Sequence, residues 1–185
     1  MSYTELFKFN KKGEAEDLGE VHNAWRGAMA VWRILDKKYL PPFTPEWAKS
    51  IGETDREYSR ASDMIAIKEI WGLQHNNDVS KSDKIVLGTT FDNVIVNKEN
   101  MPLVISAFKE FEGETNLLEQ AEILEEALKD EDVIAVAWNQ TSVCGDNWTN
   151  IGGYDEDEDE YVPYNILTQD KHWELFQEDE EEVNE

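Results

Sequence analysis

Hydrophobic positions recur along this chain with two periods, and the switches between them predict its elements. Tyr, Leu and Phe alternate with polar residues over residues 3–9, as a strand with one buried face requires. Residues 10–13 supply a turn and residues 14–18 a return strand. From residue 20 to 39 the period lengthens. With Val21 at 0° and about 100° per residue, Ala24, Trp25, Ala28, Val31, Trp32, Leu35 and Tyr39 share one arc of about 120°. That pattern predicts a helix, with His22, Arg26, Arg33 and Lys37 as a basic stripe on its other side. Pro41 and Pro42 end it, because a proline ring blocks helix continuation, and Thr44 before Pro45 starts a short helix carrying Trp47.

Thr54, Asp55, Arg56 and Glu57 have the form of a capping box, in which hydroxyl and carboxylate each take an unpaired backbone N–H. A further helix starts at Ser62 or Asp63, runs through Met64, Ile67, Ile70 and Trp71, and ends in the polar stretch 74–78. Residues 85–87 and 93–96 read as strands around a turn at 88–90. Residues 99–111 form a helix with Pro102 in the first turn, where a missing N–H costs nothing. Over 116–130, Leu117, Ala121, Leu124 and Leu128 share one helical face, with Glu119, Glu122, Glu126 and Asp130 opposite. The apolar run 133–138 predicts a buried strand, residues 161–164 a short one, and Thr168 a last helix carrying Trp173, Leu175 and Phe176.

These elements make an α+β fold: a small mixed or antiparallel sheet from residues 3–9, 85–96, 133–138 and 161–164, covered by about four longer helices. Residues 1–176 are expected to form one globular domain, since 40% hydrophobic content with 7 Trp, 7 Phe and 6 Tyr suffices for a core. Residues 177–185 offer only Val183 as an apolar anchor and are expected to be a disordered acidic tail.

Charge changes the picture. Of 41 acids and 17 bases, residues 1–109 carry 16 and 15, a balance of −1, whereas residues 110–185 carry 25 and 2, a balance of −23. Such a field attracts basic protein surfaces and repels nucleic acid. Two constellations concentrate it. Glu119, Glu122, Glu126 and Asp130 line a helix face, and Asp155, Glu156, Asp157, Glu158, Asp159 and Glu160 form an unbroken block between Tyr154 and Tyr161, with Tyr164 nearby. In an extended block, alternate carboxylates lie roughly 6.6–6.8 Å apart on one edge and can meet successive Lys or Arg side chains. Carboxylates also fit sites evolved for phosphates, because Arg pairs with both groups bidentately.

Other chemistries find little support. Counted from Asp155, a calcium loop needs Gly at its sixth position and Glu at its twelfth, where Glu160 and Ile166 stand. His22, His75 and His172 have no partners at metal-ligand spacing. The single Cys144 lies in no nucleophile signature and cannot close an intramolecular disulfide. The Gly152-Gly153 pair lacks a phosphate-loop pattern. No apolar run approaches the roughly 20 residues of a membrane span, and no signal-peptide pattern opens the chain, so a reducing cytoplasm is the expected location.

The expected function is therefore a cytoplasmic, non-enzymatic inhibitor without a cofactor. It would bind the basic nucleic-acid cleft of a defence nuclease, RNA-guided or restriction type, through carboxylates placed where phosphates lie. In charge and size the chain resembles anti-CRISPR and antirestriction proteins of phages and mobile elements, which implies DNA mimicry in a host cytoplasm. One alternative is a small-molecule-binding or hydrolytic enzyme using the polar loop 139–148, where Asn139, Gln140, Thr141, Ser142, Cys144 and Asp146 precede Trp148. Another is an adaptor or immunity-type protein with a different basic partner.

Overall fold

A computed structural model describes residues 2–91, 94–140, 148–169 and 175–176. In chain order the elements are β1 (Tyr3–Asn10), β2 (Ala15–His22), α1 (Ala28–Tyr39), α2 (Glu46–Ser50), α3 (Ile67–Trp71), α4 (Lys81–Gly88), β3 (Ile95–Asn97), α5 (Met101–Glu110), α6 (Leu117–Ala127), β4 (Val133–Gln140), β5 (Tyr154–Asp155) and β6 (Glu160–Tyr161). Four strands form one antiparallel sheet in the order β2-β1-β4-β3, while β5 and β6 pair only with each other. The fold is thus α+β, and residues 161–164 are not part of the main sheet.

The first hairpin turns where the pattern placed it. Asn10 Oδ1 accepts from the N–H groups of Lys12 (2.9 Å) and Glu14 (3.2 Å), and Gly13 takes a φ of +81°. The return strand, however, runs on to His22, with Val21 opposite Thr4 and His22 opposite Tyr3. Helix α1 therefore starts at Ala28, not at residue 20. Val21 and the next apolar residues match a helical period by coincidence: Val21 is buried by strand pairing, whereas Ala24 (φ +34°) and Trp25 (φ +70°) are left-handed and Trp25 is 83% exposed. The basic stripe dissolves with that helix. His22 meets Tyr3 edge-on, Arg26 lies in the turn, and only Arg33 and Lys37 belong to α1.

Three further expectations are corrected. Residues 54–57 start no helix, because the chain there runs into an antiparallel bridge between Phe43 and Tyr58. The segment beginning at 62 breaks into a 3-10 turn (Arg60–Ser62), the short α3 and a second 3-10 turn (Gly72–His75), leaving Met64 92% exposed. Residues 85–87 are helical, not strand. They close α4, which Ser80 caps by accepting from Asp83 N–H at 3.1 Å. The Ser-x-x-Asp signal was legible, but three apolar residues in a row suggested a strand.

Asp83 also accepts from Lys38 Nζ (2.7 Å), Ser80 Oγ (2.9 Å) and the Tyr39 hydroxyl. Burial raises its pKa, but the three donors outweigh burial and hold the carboxyl below the usual range. A depressed carboxyl stabilises the fold above its unfolded pKa, and that stability disappears as pH falls through the folded value. Asp83→Asn is therefore expected to lower stability at neutral pH and to flatten the acid limb below about pH 4. Urea unfolding at a series of pH values checks this; parallel curves for parent and variant would place the titration elsewhere.

The sheet separates two cores. On one face Leu6, Val96, Val136 and Trp138 meet Val31 and Leu35 of α1, Val86 of α4, Phe108 of α5, and Ala121 and Leu124 of α6. On the other, Phe7, Phe9, Ile95, Ala135 and Ala137 meet Trp148, Tyr164 and Ile166. The register passes from Phe9 opposite Ala135 to Asn10 opposite Val133, so Ile134 is an extra residue. That bulge explains why Val133 and Ala135 serve different cores. Leu175 and Phe176 pack against the helical core, and Leu175 N–H donates to Ile95 O at 3.2 Å. Most of the helix predicted after Thr168 and the tail predicted at 177–185 lie outside the described residues. Among the described residues, no helix is long and apolar enough to cross a membrane.

Candidate partner-binding surface

The acidic block hangs from an aromatic base. Trp148 is 1% exposed, makes edge contacts with Phe9 (5.6 Å) and Tyr164 (5.2 Å), and donates its indole N–H to Trp138 O at 3.0 Å. Tyr164 N–H returns to Trp148 O (2.9 Å), which brings the two ends of the intervening segment together. Gly152 N–H then donates to Val162 O (2.8 Å) and Val162 N–H to Gly153 O (3.0 Å), and β5 pairs with β6 above them. A Cβ at Gly152 would lie 2.2 Å from Pro163 O, so this glycine permits close backbone approach at the base of a hairpin, while Gly153 takes a φ of +123°.

The block is not extended, as the regular carboxylate spacing required. Asp155 and Glu160 are cross-strand partners, and the four residues between them turn. Asp155 Oδ1 accepts from Asp157 N–H (2.9 Å) and Glu158 N–H (3.3 Å), Asp159 adopts a φ of +56°, and the Tyr154 hydroxyl donates to the Asp159 carboxylate. That bond, with burial second, raises the Tyr154 pKa. Tyr154 and Tyr161 face each other with ring centroids 5.1 Å apart, 50% and 64% exposed. Glu156, Asp157, Glu158, Asp159 and Glu160 are exposed and Asp155 half-buried, and among the described residues no Lys or Arg pairs with any of the six.

The second acidic face is different. Glu119, Glu122 and Glu126 do project from α6 opposite the buried Leu117, Ala121 and Leu124. Yet Glu119 pairs with Arg26 (3.2 Å), Glu126 with Lys129 (2.5 Å), and the neighbouring Glu125 with Lys109 (2.5 Å). Asp130 falls beyond the helix, where it accepts from Asp132 N–H and then Lys8, both of which hold its pKa down. Exposed pairs of this kind add little stability, but each cancels a charge. Glu122 has no ion pair among the described residues. Helix α6 also packs on the helical face of the sheet, whereas the hairpin segment covers the opposite face. The two constellations are not assembled into one surface.

Sequence reading missed a cleft of about 920 Å³ between the end of α1, the proline segment and residues 54–62, lined by Phe43, Trp47 and Tyr58 and by Arg33, Lys37 and Arg56. Its floor holds an ion pair. Arg60 donates to Asp36 Oδ1 and Pro41 O, both at 2.9 Å, and its backbone N–H to Asp36 Oδ2 at 2.8 Å, with both side chains buried. None of the residues lining this cleft belongs to the polar loop 139–148. There Asn139 and Gln140 are buried at the end of β4, Trp148 belongs to the core, and residues 141–147, including Cys144, lie outside the described residues.

No family model matches this chain, and comparisons with curated proteins and with solved structures find no significant match.

Proposed function

We propose that the protein is a cytoplasmic inhibitor that binds the basic nucleic-acid cleft of a defence nuclease, with the hairpin around Tyr154 and Tyr161 as its main contact. One observation carries this reading: six consecutive carboxylates stand on a braced hairpin with no basic partner among the described residues, while most of the acids along α6 are paired. An unpaired, pre-shaped cluster keeps its charge for a partner and loses little freedom on binding. The tip matches Arg and Lys groups that otherwise hold phosphates, including the arginines with which RNA-guided nucleases read their short recognition motif. The exposed tyrosines give flat surfaces for guanidinium stacking. Opposite fields make association fast and salt-sensitive.

Neutralising Glu156, Asp157, Glu158 and Glu160 to Gln or Asn spares Asp155 and Asp159, which hold the turn. The variant is expected to bind and inhibit a susceptible restriction or RNA-guided nuclease about tenfold or more weakly at low salt, with a flatter salt dependence. Its thermal midpoint should stay within about 2 °C, because exposed charges contribute little to stability. Cleavage assays with a panel of such nucleases check this. A parent chain that inhibits none of them, or a variant that inhibits as well as the parent, would refute the reading.

A further inference from the structure

The cleft at the end of α1 is furnished unlike the rest of this acidic chain. Three of the chain's four arginines, Arg33, Arg56 and Arg60, line it, and with Lys37 they outnumber the lining acids Asp36, Asp55 and Glu57. Its volume of about 920 Å³ lies within the range of small-ligand sites.

The pairing of these groups decides which charge the cleft accepts. Asp36 is taken by the buried Arg60, and Glu57 by Lys37 at 3.3 Å. Glu53, which does not line the cleft, accepts from the Tyr58 hydroxyl at 3.2 Å. Among the described residues Arg33 and Arg56 form no ion pair, which leaves two arginines against Asp55.

Two of the aromatic walls already hold the chain's own cations. The Arg56 guanidinium lies 5.6 Å from the Tyr58 ring centroid, and that of Arg60 lies 4.9 Å from the Phe43 centroid. A cationic ligand would compete with both. A guanidinium held by a ring instead of a carboxylate keeps N–H donors for an anion.

The third wall is Trp47, carried by α2 and 54% exposed. It meets Tyr58 edge-on, with centroids 5.4 Å apart and planes at 84°. Rings set nearly at a right angle make a corner, in which a planar group stacked on one ring presents its edge to the other. The corner is braced: Tyr58 bridges to Phe43, and Arg60 ties the same segment to Asp36 and Pro41 O. Little freedom is lost when a ligand enters such a site.

We infer that this cleft binds a small planar anion, an aromatic ring carrying a phosphate or a carboxylate, with the ring stacked on Trp47 and the anionic group held by Arg56 and Arg33. The site stands apart from the hairpin reading, because α1 packs on the helical face of the sheet and the hairpin segment covers the other.

Adenosine monophosphate and naphthoate represent the two sources of that chemistry, and adenosine and naphthylmethanol are their uncharged counterparts. Calorimetry should show the parent chain saturated by at least one of the two anions below about 1 mM. Its uncharged counterpart should bind at least about tenfold more weakly, since hydrogen bonds to a charged group are lost. Saturation by the nucleotide alone assigns a phosphate-bearing ligand, and by naphthoate alone a carboxylate. Arg56→Gln and Trp47→Leu, both at exposed positions, should each weaken that anion at least about tenfold, from lost charge pairing and lost stacking. The thermal midpoint of Arg56→Gln should stay within about 2 °C of the parent. In the parent, the same titration followed by NMR should shift the Trp47 indole N–H and leave that of the buried Trp148 in place, a readout that stands even where a variant unfolds. The site is overturned by no saturation with either anion, by an uncharged counterpart that binds as tightly, by unaltered affinity in a folded variant, or by a Trp47 resonance that does not move.

Discussion

Trp148→Ala is expected to destabilise the fold by about 3–5 kcal/mol, the range for removing a large aromatic from a packed site that only partly collapses. The indole is 1% exposed, lies edge-on to Phe9 and Tyr164, and satisfies the Trp138 carbonyl from across the sheet face. It also joins the ends of the acidic hairpin through the bond from Tyr164 N–H to its carbonyl. Two readouts should therefore move together: the urea midpoint falls, and the amides of Tyr164 and Ile166, bonded to Trp148 and Gly13, lose protection against hydrogen exchange. Nuclease inhibition should weaken as well, because carboxylates on an unsupported hairpin must be ordered on binding. A loss below about 1 kcal/mol would mean that the second core closes without the indole.

A comparable effect is expected at the floor of the cleft. Asp36→Ala leaves the buried Arg60 guanidinium with only the half-exposed Glu69 carboxylate on its Nε side, and removing the buried partner of such a pair costs up to about 3–5 kcal/mol. Asp36 also accepts from Ser59 Oγ (2.9 Å) and from the Arg60 backbone, so its loss unties the 3-10 turn from α1. Replacing both charges by apolar residues of similar volume, Asp36→Leu with Arg60→Met, should cost less than Asp36→Ala, since a buried charge that has lost its buried partner is what destabilises. Equilibrium unfolding of the single and double variants measures the coupling directly. Additive losses would show that Asp36 and Arg60 contribute independently, with Glu69, Pro41 O and the Phe43 ring sufficing for the guanidinium.

The acidic surplus is distributed by chemistry that composition does not report. Helix α6 has acids at the positions its periodicity indicated, yet Arg26, Lys109 and Lys129 reach several of them from a turn, a neighbouring helix and the helix end. The hairpin acids sit on a protruding turn, and the described basic side chains pair elsewhere or not at all. A count of charges therefore overstates the uncompensated charge on α6 and understates that of the hairpin.

What the sequence by itself determined is the set of elements whose local pattern and burial agree. Strand β1 and strand β4, helix α5 with its first-turn proline, and helix α6 lie close to where their patterns place them, because the two helices each bury one face and the two strands, buried on both faces, are bounded by polar residues. Tertiary structure decided the remainder. Periodicity reports which side chains are buried and says nothing of what buries them: Val21 is covered by strand pairing, and Ile85, Val86 and Leu87 by helices on several sides, so each pattern admitted the wrong element. Six consecutive acids have no period at all. Their turn follows from the cross-strand partnership of Tyr154 with Tyr161 and from a base built by Phe9, Trp148 and Tyr164, residues up to 155 positions apart in the chain that meet only once the sheet has formed.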